Sequence, residues 1–142
     1  MPRFNPNEKA FADCVARVEE AAKKFQQPTG VIVTSKDRRA NEVREELRVT
    51  NIPEGFSKWQ LPVYFKKPTH LFISVGSPGV HTPEHSHDEG DGLRFIASGS
   101  ISYDGKELGA GDWMFIPAGA KYEFTVGSLG ATMFYCYECC CA

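Results

Sequence analysis

Gly79-Val80-His81-Thr82-Pro83-Glu84-His85-Ser86-His87 sets two histidines two residues apart in a stretch that reads as extended chain. On a strand, residues i and i+2 point to one face with Cα atoms about 6.6 Å apart, so the imidazoles of His85 and His87 can converge on one metal ion. The same spacing also arises as two exposed polar side chains at a loop edge, and alone it leaves both readings open. His81 shares the parity of the pair but sits four residues before His85. That is about 13 Å along an extended strand, beyond reach of the same ion unless Pro83 marks a bulge.

The surrounding glycines and turns say more. Gly79 lies six positions before His85, Gly99 lies twelve after His87, and Leu93-Arg94-Phe95-Ile96-Ala97 between them is a compact strand signal. Downstream runs Gly111-Asp112-Trp113-Met114-Phe115-Ile116-Pro117-Ala118-Gly119-Ala120-Lys121-Tyr122. Together these stretches resemble the paired motifs of the cupin superfamily, G-x5-H-x-H-x(3,4)-E-x6-G and G-x5-P-x-G-x2-H-x3-N, over roughly residues 70 to 138. The resemblance implies an all-β fold, a cupin-type double-stranded β-helix or jelly-roll barrel, here with an N-terminal α-helix. It carries over only two of the usual metal ligands, His85 and His87. Gly92 stands where the family has its glutamate, Tyr122 where it has its last histidine, and Val126 where it has its asparagine.

Other residues are candidates to complete the site. Asp91 sits in the acidic turn Asp88-Glu89-Gly90-Asp91-Gly92. Glycine on both sides frees the backbone to swing its carboxylate inward, which makes it the substitute third metal ligand; a solvated loop acid is the alternative. A phenol titrates near pH ~10, so Tyr122 is expected to donate a hydrogen bond or proton rather than to ligate as phenolate. If position 92 faces inward, strand alternation turns Arg94 and Ile96 inward too, with Leu93, Phe95 and Ala97 on the other side. If position 122 faces inward, so does Phe124. The expected lining is then His85, His87, Arg94, Ile96, Tyr122 and Phe124. An arginine aimed into a largely apolar cavity needs a counter-charge. Arg94 either pairs with Asp91 or Glu89 or awaits the carboxylate of a substrate, for which the missing side chain at Gly92 leaves room.

Two function classes follow. The first is a metal-dependent enzyme, a mononuclear oxygenase of dioxygenase type acting on a small organic acid. Its divalent ion, iron first and zinc, nickel or manganese as alternatives, is held by His85, His87 and Asp91. Arg94 anchors the substrate carboxylate and Tyr122 donates a hydrogen bond or proton. The second is a non-catalytic ligand-binding or sensing barrel with a degenerate metal site. Fold does not choose between them.

Composition bounds the rest. The chain of 142 residues is long enough to bury a real core, and 16 basic against 18 acidic residues leave no electrostatic footprint for nucleic acid. No apolar run approaches the ~18 residues of a membrane span, and Met1-Pro2-Arg3-Phe4-Asn5-Pro6 lacks the apolar core of a secretion signal. The expectation is a cytoplasmic protein with a small carboxylate-bearing ligand, no nucleic-acid or membrane partner, and a homodimeric state in keeping with the family resemblance.

The expected organisation is a helical extension over residues 1–30, a single barrel over 31–138 with its core motifs at 79–126, and a cysteine-rich tail over 139–142. Asn5-Pro6-Asn7-Glu8 reads as a helix start, and Phe11, Cys14, Val15, Val18, Ala22 and Phe25 recur at helical spacing. Ala40, Val43 and Leu47 among charged residues suggest a polar helix or a solvated strand. Short strands are expected at 61–65, 71–75, 84–87, 93–97, 100–103, 112–116, 122–126 and 132–137, with a hairpin turn at Asp104-Gly105. Cys136-x2-Cys139 could bind zinc or cycle through a disulfide. No second pair stands at zinc spacing, so a reduced tail is the simpler reading.

Overall fold

A computed structural model of the chain describes residues 9–138. Its elements are α1 (Phe11–Lys24), β1 (Val33–Thr34), α2 (Arg38–Glu46), β2 (Arg48–Val49), β3 (Lys58–Trp59), β4 (His70–Gly76), β5 (His81–His85), β6 (Gly92–Tyr103), β7 (Lys106–Gly109), β8 (Trp113–Ile116) and β9 (Tyr122–Tyr137). They fall into two compact units, Met1–Thr29 with Arg38–Tyr64, and Gly30–Asp37 with Phe65–Ala142. The expected helix start at Asn5–Glu8 and the cysteines at 139–141 lie outside the described residues. No helix among the described residues is long and apolar enough to cross a membrane.

The helical unit is larger than the expected extension over residues 1–30. Val43 and Leu47 pack on Val18 and Ala21, with Phe25 and Tyr64 closing the cluster. Residues 38–49 therefore form a helix and a short strand that share a core with α1 instead of joining the barrel. Only the C-terminal half of the apolar stripe on α1 is used, and Phe11 is left 74% exposed. The strand expected at 61–65 does not form. Pro62 has no N–H for a ladder, and the side chains around it are tied to α1: Gln60 Nε2 donates to the Cys14 carbonyl at 2.8 Å and the Tyr64 hydroxyl to Glu19 at 2.7 Å. Trp59 lies between the guanidinium groups of Arg44 (4.9 Å) and Arg48 (4.7 Å), which holds the β2–β3 ladder to α2.

In the second unit, seven strands form one antiparallel sheet in which β9 pairs with β4, β5 and β6, and β6 pairs with β7, β8 and β9. Four of the expected short strands are halves of these two long ones. In β6, Arg94 and Ile96 are buried and then Ile101; in β9, Tyr122, Phe124 and Val126 are buried and then Ala131, Met133, Tyr135 and Tyr137. Parity changes from even to odd in both. Register shifts between Ile96 and Ser98 and between Gly99 and Ile101 account for the change in β6. Such bulges bend a strand and let it line the barrel at both ends. The hairpin at Asp104-Gly105 forms as expected, with φ of 48° and 72° and Tyr103 opposite Lys106.

The core joins Ile96, Ile101, Leu108, Met114, Ile116, Tyr122, Phe124, Val126, Ala131 and Met133. Each large apolar side chain among them contributes about 1.5–3 kcal/mol by leaving water. The opposite side of β4 leaves Leu71, Ile73 and Val75 more than half exposed.

Glu138, just past β9, organises the approach to the candidate site. Its Oε2 accepts the backbone N–H groups of Lys66 (2.9 Å) and Lys67 (2.8 Å), and its Oε1 accepts that of Asp91 (2.9 Å). Backbone hydrogen bonds to a carboxylate are charge-assisted. Glu138→Ala should therefore lower stability by about 2 kcal/mol, with Glu138→Gln losing roughly half as much. Urea unfolding checks this. A midpoint unchanged in the alanine variant would show that these three contacts contribute nothing.

Candidate functional site

The two histidines reach one wall of the barrel by different routes. His85 ends β5 opposite Tyr122, beyond a register shift between Thr82 and His85, and His87 follows in the loop. The bulge expected as a condition for His81 exists, yet His81 turns to the outer side. Its Nδ1 lies 2.9 Å from Thr125 Oγ1 and its Nε2 3.3 Å from Glu123. The rings of His85 and His87 meet edge to face at 5.0 Å, and Tyr122 lies 4.5 Å from the first and 6.1 Å from the second. Nδ1 of His85 is 2.7 Å from the Pro83 carbonyl, which can only accept. The proton is therefore on Nδ1, and Nε2 is the nitrogen available as a ligand.

His87 is set among aromatic rings, 4.9 Å from Tyr137 and 6.1 Å from Tyr135 between centroids. Burial lowers its pKa below the ordinary histidine value, and the charges of His85 and Arg94 lower it further, against a small opposing effect of Asp88. His87 is accordingly a neutral imidazole at neutral pH. The Tyr122 hydroxyl, 3.3 Å from its Nε2, is placed to donate to it.

Alternation correctly turns Arg94 and Ile96 inward with Tyr122 and Phe124. Arg94 is 7% exposed and forms no ion pair among the described residues. Its guanidinium lies between the faces of Phe124 (5.0 Å) and Tyr135 (4.5 Å), Nη1 is 3.7 Å from Met133 Sδ, and Nε is buried without a hydrogen-bond partner. The expected pairing with Asp91 is absent. The Asp91 carboxylate accepts the Ala118 N–H at 2.8 Å instead, fastening the two loops that carry the motifs.

The metal ligands expected from the sequence are only partly brought together. His85 and His87 converge, whereas Asp91 is engaged elsewhere, and among the described residues no three His, Cys, Asp or Glu side chains are grouped to hold an ion. The space at Gly92 is also taken. A Cβ there would stand 2.7 Å from the Tyr135 hydroxyl and 3.0 Å from its ring. Tyr135 thus occupies the place where the family's glutamate would begin, and the opening expected from the missing side chain at Gly92 is filled by its ring and hydroxyl. Two imidazoles and a phenol do not fit the mononuclear centre that the resemblance implies.

Tyr135, Tyr137 and Met133 were not anticipated as lining. The alternation Ala131, Met133, Tyr135, Tyr137 is the signal that would have found them. The Tyr135 hydroxyl is buried with no hydrogen-bond partner. Its pKa is raised, first by burial and then by the nearby Tyr122. Cys136, on the other side of β9, is a half-buried free thiol whose pKa burial also raises.

All four glycines bounding the two sequence motifs, Gly79, Gly99, Gly111 and Gly119, have φ between 71° and 88°. Both motifs thus make their turns where the resemblance requires them, around a barrel of two long bent strands. The barrel is of the cupin type. No family model matches the chain, and no curated protein matches it. Among solved structures it is similar to a cupin-like protein of unknown function from Ralstonia eutropha, 19% identical over 52% of this chain and 49% of that one, with a TM-score of 0.46. It is similar also to an RmlC-like cupin from Shewanella frigidimarina (19% identical, 51% and 68% covered, TM-score 0.44). A third is the polyketide cyclase RemF from Streptomyces resistomycificus (26% identical, 50% and 54% covered, TM-score 0.43). The chain spans about half the length of the first and the third of these proteins.

Proposed function

We propose that this cupin barrel binds a small organic molecule against the wall formed by His85, His87, Tyr122, Tyr135 and Tyr137, without a resident three-ligand metal centre. One observation carries the reading: both positions that would complete the family's ligand set are used by tyrosines. Tyr122 stands directly at one, and Tyr135 fills the space beside Gly92 at the other. The wall offers a flat aromatic surface with an imidazole and hydroxyl groups, features suited to orienting the apolar or aromatic body of a small molecule.

A second reading keeps the metal. His85 and His87 stand edge to face at 5.0 Å, and Nε2 of His85 is available to an ion. In that reading the protein is a metal-dependent oxygenase acting on a small organic acid. Elemental analysis of protein purified without chelator or a nickel column decides between them. The first reading expects far less than one equivalent of iron, zinc, nickel or manganese, and an unfolding temperature unchanged by EDTA. About one equivalent per chain, lost in the His85→Ala/His87→Ala variant, would overturn it in favour of the second.

A further inference from the structure

The wall just described has a charged floor. Arg94 and Tyr135 are cross-strand neighbours in the β6–β9 ladder, both more than nine-tenths buried, and each holds a buried polar atom without a hydrogen-bond partner, Nε of Arg94 and the hydroxyl of Tyr135. Arginine is always protonated, so the site carries a full positive charge. Sulfur and ring faces are the only described partners of that guanidinium. A buried charge in this state costs several kcal/mol by order of magnitude.

We propose that Arg94 and Tyr135 bind the carboxylate of a small acid whose body is apolar or aromatic. The inference rests on the reading of the barrel as a small-molecule site and names the chemistry of its ligand. A monoanion fits better than a phosphate. The floor holds one positive charge, that of the Arg94 guanidinium, so a dianion would be left half uncompensated. The two oxygens of a carboxylate can accept from both orphaned donors at once, one from each. Its substituent then meets Phe124, stacked on Tyr122 at 6.1 Å, and Tyr137, stacked on Tyr135 at 5.9 Å. His87 is partly exposed and adjoins both tyrosines of the second stack, marking the side from which the acid enters.

Benzoate and its neutral isostere benzamide test this on the full chain at matched ionic strength. At about ten times its dissociation constant benzoate should raise the unfolding temperature by about 5 °C, and benzamide at the same concentration should not. Arg94→Met should abolish the response. Because that variant leaves Tyr135 and Phe124 without the group between them and so loosens the barrel as well, calorimetry of Arg94→Lys and Tyr135→Phe provides independent evidence. Each should weaken benzoate about tenfold, the first by losing the fork and the second by losing one donor. Equal responses to benzoate and benzamide, or unchanged benzoate affinity in both conservative variants, would overturn the carboxylate site. Binding of benzamide alone would do so while leaving the barrel as a small-molecule site. The elemental analysis bears on the underlying reading separately, since a full equivalent of metal overturns that reading whatever benzoate does.

Discussion

Replacing Gly99 with alanine should destabilise the barrel by about 4 kcal/mol, a large share of the roughly 5–15 kcal/mol that holds a domain together. Gly99 has φ of 71°, a conformation that alanine adopts only under strain, and it sits at the irregular pairing where β6 bends. An added Cβ would fall 1.9 Å from the Gly130 carbonyl oxygen and 2.9 Å from the Ala131 Cα. Both are backbone atoms of β9, so no side-chain rotation relieves the clash. The ladder must open where the two longest strands cross from one end of the barrel to the other. Urea unfolding with circular dichroism reads the loss. A decrease below about 1 kcal/mol would mean that the two strands are not in contact at this point.

The second large effect concerns metal content. Gly92→Glu alone should destabilise the protein without creating a site, because the new Cβ meets the Tyr135 hydroxyl and a ring held against Arg94. Combining it with Tyr135→Ala removes the obstacle and sets a carboxylate beside His85 and His87. The pair should then take up about one equivalent of zinc or manganese per chain, where the unaltered protein takes up very little. The two substitutions should also be strongly non-additive, the double variant being more stable than the sum of the single losses by about 1–3 kcal/mol. Plasma emission spectrometry and urea unfolding give both quantities. Absence of metal in a folded double variant would show that the histidines cannot turn toward a ligand from position 92.

The residues legible in advance were those whose placement follows from alternation along one uninterrupted strand. Arg94 and Ile96 followed from position 92, and Phe124 from Tyr122, because a pleated strand sends every second side chain to the same face. The inference stopped where the parity broke. Tyr135 and Tyr137 lie on the far side of the Gly127–Gly130 stretch of β9, and an alternation counted from Tyr122 puts them on the wrong face. The meaning of Gly92 was hidden for a related reason. Its missing side chain looks like space in the sequence and becomes contact only once β9 lies alongside. Asp91 shows the limit of reasoning from proximity, since two flanking glycines permit many directions and the Ala118 N–H selected one that points away from an ion. Residues 31–60 were hardest to read, because the few apolar side chains among them that are buried together, Val43 and Leu47, pack on Val18 and Ala21 of a helix about 25 residues earlier.

The position of β9 in the chain has a consequence for how the protein is made. β4, β5 and β6 all take their hydrogen-bond partner from a strand that begins at Tyr122 and ends at Tyr137, and β1 takes its own from β8, with Val33 opposite Phe115. Contacts so distant in sequence close slowly, and during synthesis they cannot close at all until the last of these residues has been added. Until then β4 waits with its backbone unpaired and Phe72 without Tyr135 and Tyr137 to pack on, beside Leu71, Ile73 and Val75 that stay exposed even in the finished barrel, the state in which a strand most readily adheres to another chain. Yield on expression should thus depend more on translation rate and temperature than on the stability of the finished barrel.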